Sequence, residues 1–142
     1  MKIDCEYIID FCYIIFIGLS IYLYYNGIYK TRLDNIFGTL AIVIGVLVVF
    51  FRNKLDLIFA HVFYSIYLIL VSIFSNNNYL LGFNVIMLIN IIVTRYLYDG
   101  CLLKQMRNKN SVDTVNHNIN GDYYYSTLLF ISIYRLMTME ML

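Results

Sequence analysis

A chain of 142 residues with a formal net charge of +1 gives no electrostatic reason to bind nucleic acid. Apolar residues make up 61% of it and charged residues 13%, against about 45–50% and 25% in a soluble domain. This composition excludes an ordinary water-soluble fold, because the surface helices of such a fold need a polar face. It predicts an all-α integral membrane protein.

Four long apolar runs predict membrane-spanning helices within residues 1–102. Each run approaches the ~17–25 residues that a helix needs to cross the hydrocarbon core. Short connections make consecutive helices antiparallel neighbours, so we predict a four-helix transmembrane bundle with short loops. The predicted spans are Tyr7–Tyr25, Asn35–Phe51, Leu57–Phe74 and Tyr79–Tyr98.

Two features of the first two spans are candidates for function. Asp10 lies about one turn into span one, where a carboxylate either contacts a proton or cation or marks the start of the helix. In span two, Gly38, Ala41 and Gly45 share one side of the helix. Small residues allow two helix backbones to approach closely, so we expect this face to pack on another helix, from this chain or a second copy.

Polar residues inside spans three and four are the remaining candidates. His61 can titrate, bind a metal or hydrogen-bond a neighbouring helix, and we favour the last interpretation. In span four, Asn84 and Arg95 lie on one stripe, and Asp99 follows Arg95 by four residues, which predicts a local ion pair. Asn84 is expected to hydrogen-bond between helices, with a pore lining as the alternative.

The last 40 residues change in character. Residues 103–122 are polar and rich in asparagine, which predicts a linker. Residues 123–142 are apolar again but are interrupted by Arg135 and Glu140, and the polar residues of this segment do not gather cleanly on one face of a helix. We predict a C-terminal amphipathic or membrane-associated helix, peripheral in the interface or a fifth span, and favour the peripheral helix because Arg135 would reach water there.

The distribution of cations predicts the orientation. With four spans, seven Lys and Arg residues fall on one side of the membrane and two, Lys30 and Arg32, on the other. By the positive-inside rule both termini are expected on the cytoplasmic or equivalent side. The isoleucine- and asparagine-rich composition, with two alanines, is typical of an AT-rich genome. The membrane itself stays open among organellar, viral and endoplasmic-reticulum membranes.

Signatures of enzymes and cofactor sites are missing from the sequence. It has no glycine-rich phosphate loop and no HExxH, and its three cysteines lack metal-binding spacing. We therefore expect no catalysis, no cofactor and no metal, and partners limited to the bilayer and other membrane subunits. The leading hypothesis is a non-catalytic structural or accessory subunit of a larger membrane assembly. The alternative is a small homo-oligomeric ion or proton channel or transporter with Asp10, His61 and Asn84 facing the pore.

Overall fold

The computed structural model describes the backbone of residues 5–51, 54–97 and 119–140, and the side chains of residues 7–51, 57–97 and 122–139. Four helices in these ranges are long and apolar enough to cross a membrane. A fifth helix follows them near the end of the chain, which confirms the predicted all-α fold of four spans and a C-terminal helix. The helices are α1 (Cys5–Tyr25), α2 (Arg32–Phe50), α3 (Lys54–Phe74), α4 (Asn78–Leu97) and α5 (Ile119–Glu140).

Helix α2 begins three residues earlier than the apolar run alone predicts. The Thr31 hydroxyl accepts a hydrogen bond from the Asp34 N–H at 3.1 Å, and the Asp34 carboxylate accepts one from the Thr31 N–H at 3.2 Å. This reciprocal capping box supplies partners to N–H groups that a helix start leaves unpaired. It explains how the Asp34 carboxylate can be buried at the beginning of an apolar helix.

Helices α1 and α2, with α3 as far as Tyr67, form one compact unit, called unit one here. An aromatic cluster joins α1 to α3 within it. The Phe16 and Tyr67 rings meet edge to face with centroids 5.7 Å apart, and the Tyr13 and Tyr64 centroids are also 5.7 Å apart. Edge-to-face contact favours aromatic pairs beyond the area they bury, so these four rings form the core between the two helices.

The rest of α3 from Leu68, together with α4 and α5, forms unit two. Helix α5 lies against α4 and runs antiparallel to it. Asn84 in the first half of α4 contacts Ser132 in the second half of α5, whereas Arg95 near the end of α4 contacts Asp122 near the start of α5. Helices of 20 and 22 residues are each about 30 Å long, so α5 accompanies α4 over most of its length.

The C-terminal helix begins at Ile119, four residues before the boundary predicted at residue 123. Residues 119–122 are therefore helical, although the sequence predicts them as part of the linker, and residues 103–118 of that linker lie outside the described ones. The polar residues of α5 do not all share a face, since Ser126 and Thr127 are exposed, but one face of the helix packs within unit two. That face follows the spacing of a helix and consists of Asp122, Tyr125, Leu128, Ser132 and Arg135.

Candidate functional site

The two titratable residues predicted in unit one are half-buried. Asp10 lies in the second turn of α1 and His61 in the second turn of α3. The His61 carbonyl accepts a hydrogen bond from the Ser65 hydroxyl at 3.0 Å, which belongs to the helix itself. Across the part of the chain that the structure describes, His, Cys, Asp and Glu side chains form no group of three able to hold a metal ion.

The small residues predicted on α2 are all buried, and they are packed in two different ways. A Cβ at Gly45 would collide with the Ile17 side chain of α1 and stand 3.6 Å from the Tyr13 carbonyl oxygen. Gly45 thus marks a point where the Ile17 side chain of α1 leaves no room for a Cβ on α2. Gly38 instead receives the ring of Tyr29, whose Cζ would lie 2.8 Å from a Cβ there. Ala41, between them, is completely buried.

Tyr29 comes from the turn that joins α1 to α2. Gly27 makes this turn possible because its φ of 64° lies in the left-handed region that favours glycine. The chain then returns so that the Tyr29 ring covers Gly38. Burial raises the pKa of the Tyr29 hydroxyl, and the negative charge of Asp34 raises it further. The ring serves as a packing group.

A hydrogen-bonded cluster lies in the interior of unit two and joins three helices. The Asn84 amide nitrogen donates to the hydroxyls of Ser72 on α3 and Ser132 on α5, at 2.9 and 3.1 Å. The Ser132 hydroxyl donates to the Ser72 hydroxyl at 2.9 Å, and that hydroxyl donates to the Leu68 carbonyl at 2.7 Å. All three residues are completely buried, with 0% of their surface exposed. Such bonds hold membrane helices together, at about 0.6–2 kcal/mol each.

The Asn84 carbonyl oxygen is the exception in this cluster. It is buried and accepts no hydrogen bond from the described residues. An unpaired polar atom in an apolar interior costs free energy, so the amide nitrogen, with two partners, must offset that cost. The arrangement is typical of a specific contact between helices. It contains neither a nucleophile paired with a base nor two acids, so these three side chains offer no catalytic chemistry.

Arg95 forms an ion pair with α5. Its Nε donates to the Asp122 carboxylate at 2.7 Å, and the side chains are 7% and 33% exposed. The Tyr125 ring packs against the guanidinium, whose carbon lies 5.4 Å from the ring centroid. The sequence predicts Asp99 as the partner, but Asp99 lies outside the described residues. The described ion pair instead connects positions 27 residues apart in the chain.

Arg135 attaches the other half of α5 to the connection between α3 and α4. One terminal nitrogen donates to the Ser72 carbonyl at 2.9 Å, and the other donates to the Asn76 side-chain oxygen at 3.0 Å. The same connection caps α4, because the Asn77 side-chain oxygen accepts from the Tyr79 N–H at 3.0 Å. Arg135 therefore replaces the missing helical partner of a carbonyl in the last turn of α3.

Sequence reasoning selected Asn84 and Arg95 but missed the residues that they contact. Ser72 appears in the sequence as one hydroxyl of an apolar helix, and Ser132 and Asp122 lie beyond the linker. The signal that could have found them is the helical spacing of Asp122, Ser132 and Arg135 on α5. It was hidden because the predicted helix began at residue 123 and excluded Asp122.

A shallow groove runs along the outer face of α2. It has a volume of about 380 Å³ and is lined by Asn35, Ile36, Thr39, Leu40 and Val43. Its lining side chains bear no charge, so the groove lacks the groups that would orient an ionic substrate. No family model matches the chain, and no protein of known function and no solved structure is significantly similar to it.

Proposed function

We propose that the protein is a non-catalytic structural or accessory subunit of a larger membrane assembly. The observation that carries this proposal is the use of the polar side chains in unit two. Asn84, Ser72 and Ser132 bond to one another across three helices, and Arg95 pairs with Asp122. A channel or an enzyme would need such groups to face water or a substrate. Here they contribute to holding helices together.

The outer surfaces of the helices support the same proposal. Large apolar side chains are exposed on every one of the five helices, among them Ile14, Ile36, Phe63, Ile86 and Phe130. In a bilayer these surfaces contact lipid or the helices of other subunits. An accessory subunit interacts with its neighbours through surfaces of this kind. The organellar or viral membrane named by the sequence analysis remains part of the proposal.

We further propose that α5 crosses the membrane beside α4, in place of the peripheral helix favoured by the sequence. A surface helix would lie across the end of a span, whereas α5 contacts α4 at both Asn84 and Arg95. The side chains of Asp122, Ser132 and Arg135 bond within unit two, and Tyr123, Phe130 and Met137 are exposed on the other side. The exposed side of α5 can therefore face lipid, because the charge of Asp122 is paired within the protein.

A fifth crossing changes the expected orientation. Residues 98–118 would stay on the cytoplasmic or equivalent side with the majority of the cations, as the positive-inside rule requires. The end of α5 would then lie on the opposite side, together with the connection between α3 and α4. The two termini would be on different sides of the membrane, and not on the same side as four spans alone predict.

Cysteine labelling tests this crossing. In a background without the native cysteines, Asn78→Cys at the start of α4 and Thr138→Cys near the end of α5 are expected to react with a membrane-impermeant maleimide from the same side of sealed vesicles. Both positions belong to unit two, and the Asn78 site supplies the reference. Labelling of Thr138→Cys from the side opposite to Asn78→Cys would show that α5 is a peripheral helix.

The native mass of the protein after gentle detergent extraction tests the proposed function. We expect a species heavier than this chain alone, with other subunits in a fixed ratio that survives a second purification. Asp10→Asn and His61→Gln are expected to retain the same partners, because both side chains are only half-buried and lie outside the hydrogen-bonded cluster.

A homogeneous species that contains this chain alone would contradict the structural role. Measurement of ion or proton flux into liposomes that contain the protein would then test the channel hypothesis. We expect no flux above that of empty liposomes between about pH 5 and 8. Flux that His61→Gln abolishes would establish a conducting oligomer in place of an accessory subunit.

A further inference from the structure

The guanidinium of Arg135 carries a charge that its described partners do not neutralise. It donates to two neutral acceptors, the Ser72 carbonyl and the Asn76 amide oxygen. An arginine keeps its charge in proteins and has five N–H donors, so three donors remain after these two hydrogen bonds. The Asp122 carboxylate pairs with Arg95 and lies 13 residues away on α5, about 20 Å along the helix.

Arg135 lies at the end of unit two where α3 ends and α4 begins. Its two acceptors belong to the last turn of α3 and to the three-residue connection before α4. Where two spans end, the bilayer changes from hydrocarbon to headgroups. Tyr79 and Tyr134, each 62% exposed, lie near this end of the unit, and tyrosine is enriched at that level of a membrane. Arg135 is half-buried and Asn76 is exposed, so both can meet a group from outside.

We propose that Arg135 and Asn76 form a binding site for the phosphate of a phospholipid headgroup. The planar guanidinium can offer two N–H groups to one phosphate in a bidentate arrangement. The hydrogen bond from Arg135 leaves the Asn76 amide nitrogen as a further donor beside it, and this nitrogen makes no hydrogen bond to the described residues. The phosphate supplies the negative charge that the neutral partners of Arg135 lack. This inference goes beyond the proposed function and does not depend on a protein partner.

Native mass spectrometry of the detergent-extracted protein, with phosphatidylglycerol added, tests the site. Arg135→Gln is expected to weaken binding of one lipid by about tenfold, as the loss of a charge-assisted hydrogen bond implies. Asn76→Ala is expected to weaken it less. Arg32→Gln is the matched control, because it removes the same charge from an exposed position at the start of α2 and should leave binding unchanged.

Two further measurements use the unchanged protein, so they test the site even where Arg135→Gln fails to fold. A galactolipid with the same acyl chains but no phosphate is expected to bind at least tenfold more weakly than phosphatidylglycerol, and inorganic phosphate is expected not to bind alone. Equal binding of the galactolipid, or equal loss in Arg32→Gln, would overturn the site. Binding of inorganic phosphate without lipid would assign the site to free phosphate and overturn the lipid assignment.

Discussion

Replacing Asp122 with asparagine is expected to lower the free energy of unfolding by about 3 kcal/mol, because the buried charge of Arg95 loses its carboxylate partner. The change keeps the size of the side chain but removes its charge. Arg95, whose side chain is 7% exposed, would then remain inside unit two with the Tyr125 ring as a weaker partner. Denaturant titration of the detergent-solubilised protein, followed by circular dichroism, measures the effect.

Two further variants separate the charge from the packing in this experiment. Asp122→Glu retains the carboxylate and should recover part of the loss. The double variant Arg95→Met with Asp122→Leu should be more stable than Asp122→Asn, because replacing both members of a buried ion pair by apolar residues is often neutral. A loss below about 1 kcal/mol for Asp122→Asn, as at an exposed pair, would contradict the described burial of Arg95.

Substitution of Gly45 has the second large expected effect, and it falls on unit one. Gly45→Ala is expected to destabilise the protein by about 1–3 kcal/mol, since the new methyl group would collide with Ile17 and force α1 and α2 apart. Gly45→Leu should prevent this packing altogether and abolish co-purification of partner subunits. Thermal aggregation in detergent, monitored by size-exclusion chromatography, reports both effects.

The matched control for Gly45 is Gly18 on the opposing helix. A Cβ at Gly18 has no neighbour within 4 Å, so Gly18→Ala should stabilise α1 by up to about 1 kcal/mol through its higher helix propensity. The same change from glycine to alanine is thus expected to destabilise the protein at Gly45 and to stabilise it at Gly18. Ile17→Ala combined with Gly45→Ala should restore part of the stability. Equal tolerance of alanine at both glycines would show that the close approach at Gly45 is not required.

Apolar content and run length were sufficient to predict helices α1 to α4. Four runs bounded by polar residues correspond to helices α1 to α4, and their ends differ from the prediction by at most three residues. The difference at the start of α2 has a local cause that could be read from the sequence. Thr31 and Asp34 have the spacing of a capping box, so α2 begins at Arg32 instead of Asn35.

The candidate site was less accessible to sequence reasoning, because its contacts connect distant positions. The interval from Asn84 to Ser132 is 48 residues, and that from Arg95 to Asp122 is 27. Local periodicity identifies which residues share a face of one helix, but it does not identify the other helix that this face contacts. For Arg95, an acid four residues away was the obvious local partner, whereas the described partner lies beyond the polar linker.

These long intervals have a consequence for the biogenesis of the protein. A ribosome that adds about 5–20 residues per second makes Arg95 roughly 1–5 seconds before Asp122. During this interval Arg95 and Asn84 lack their α5 partners, Asp122 and Ser132, which lipid replaces poorly. We therefore expect the insertion machinery to retain α4 until α5 emerges, and a ribosome stalled within the linker to leave α4 susceptible to degradation.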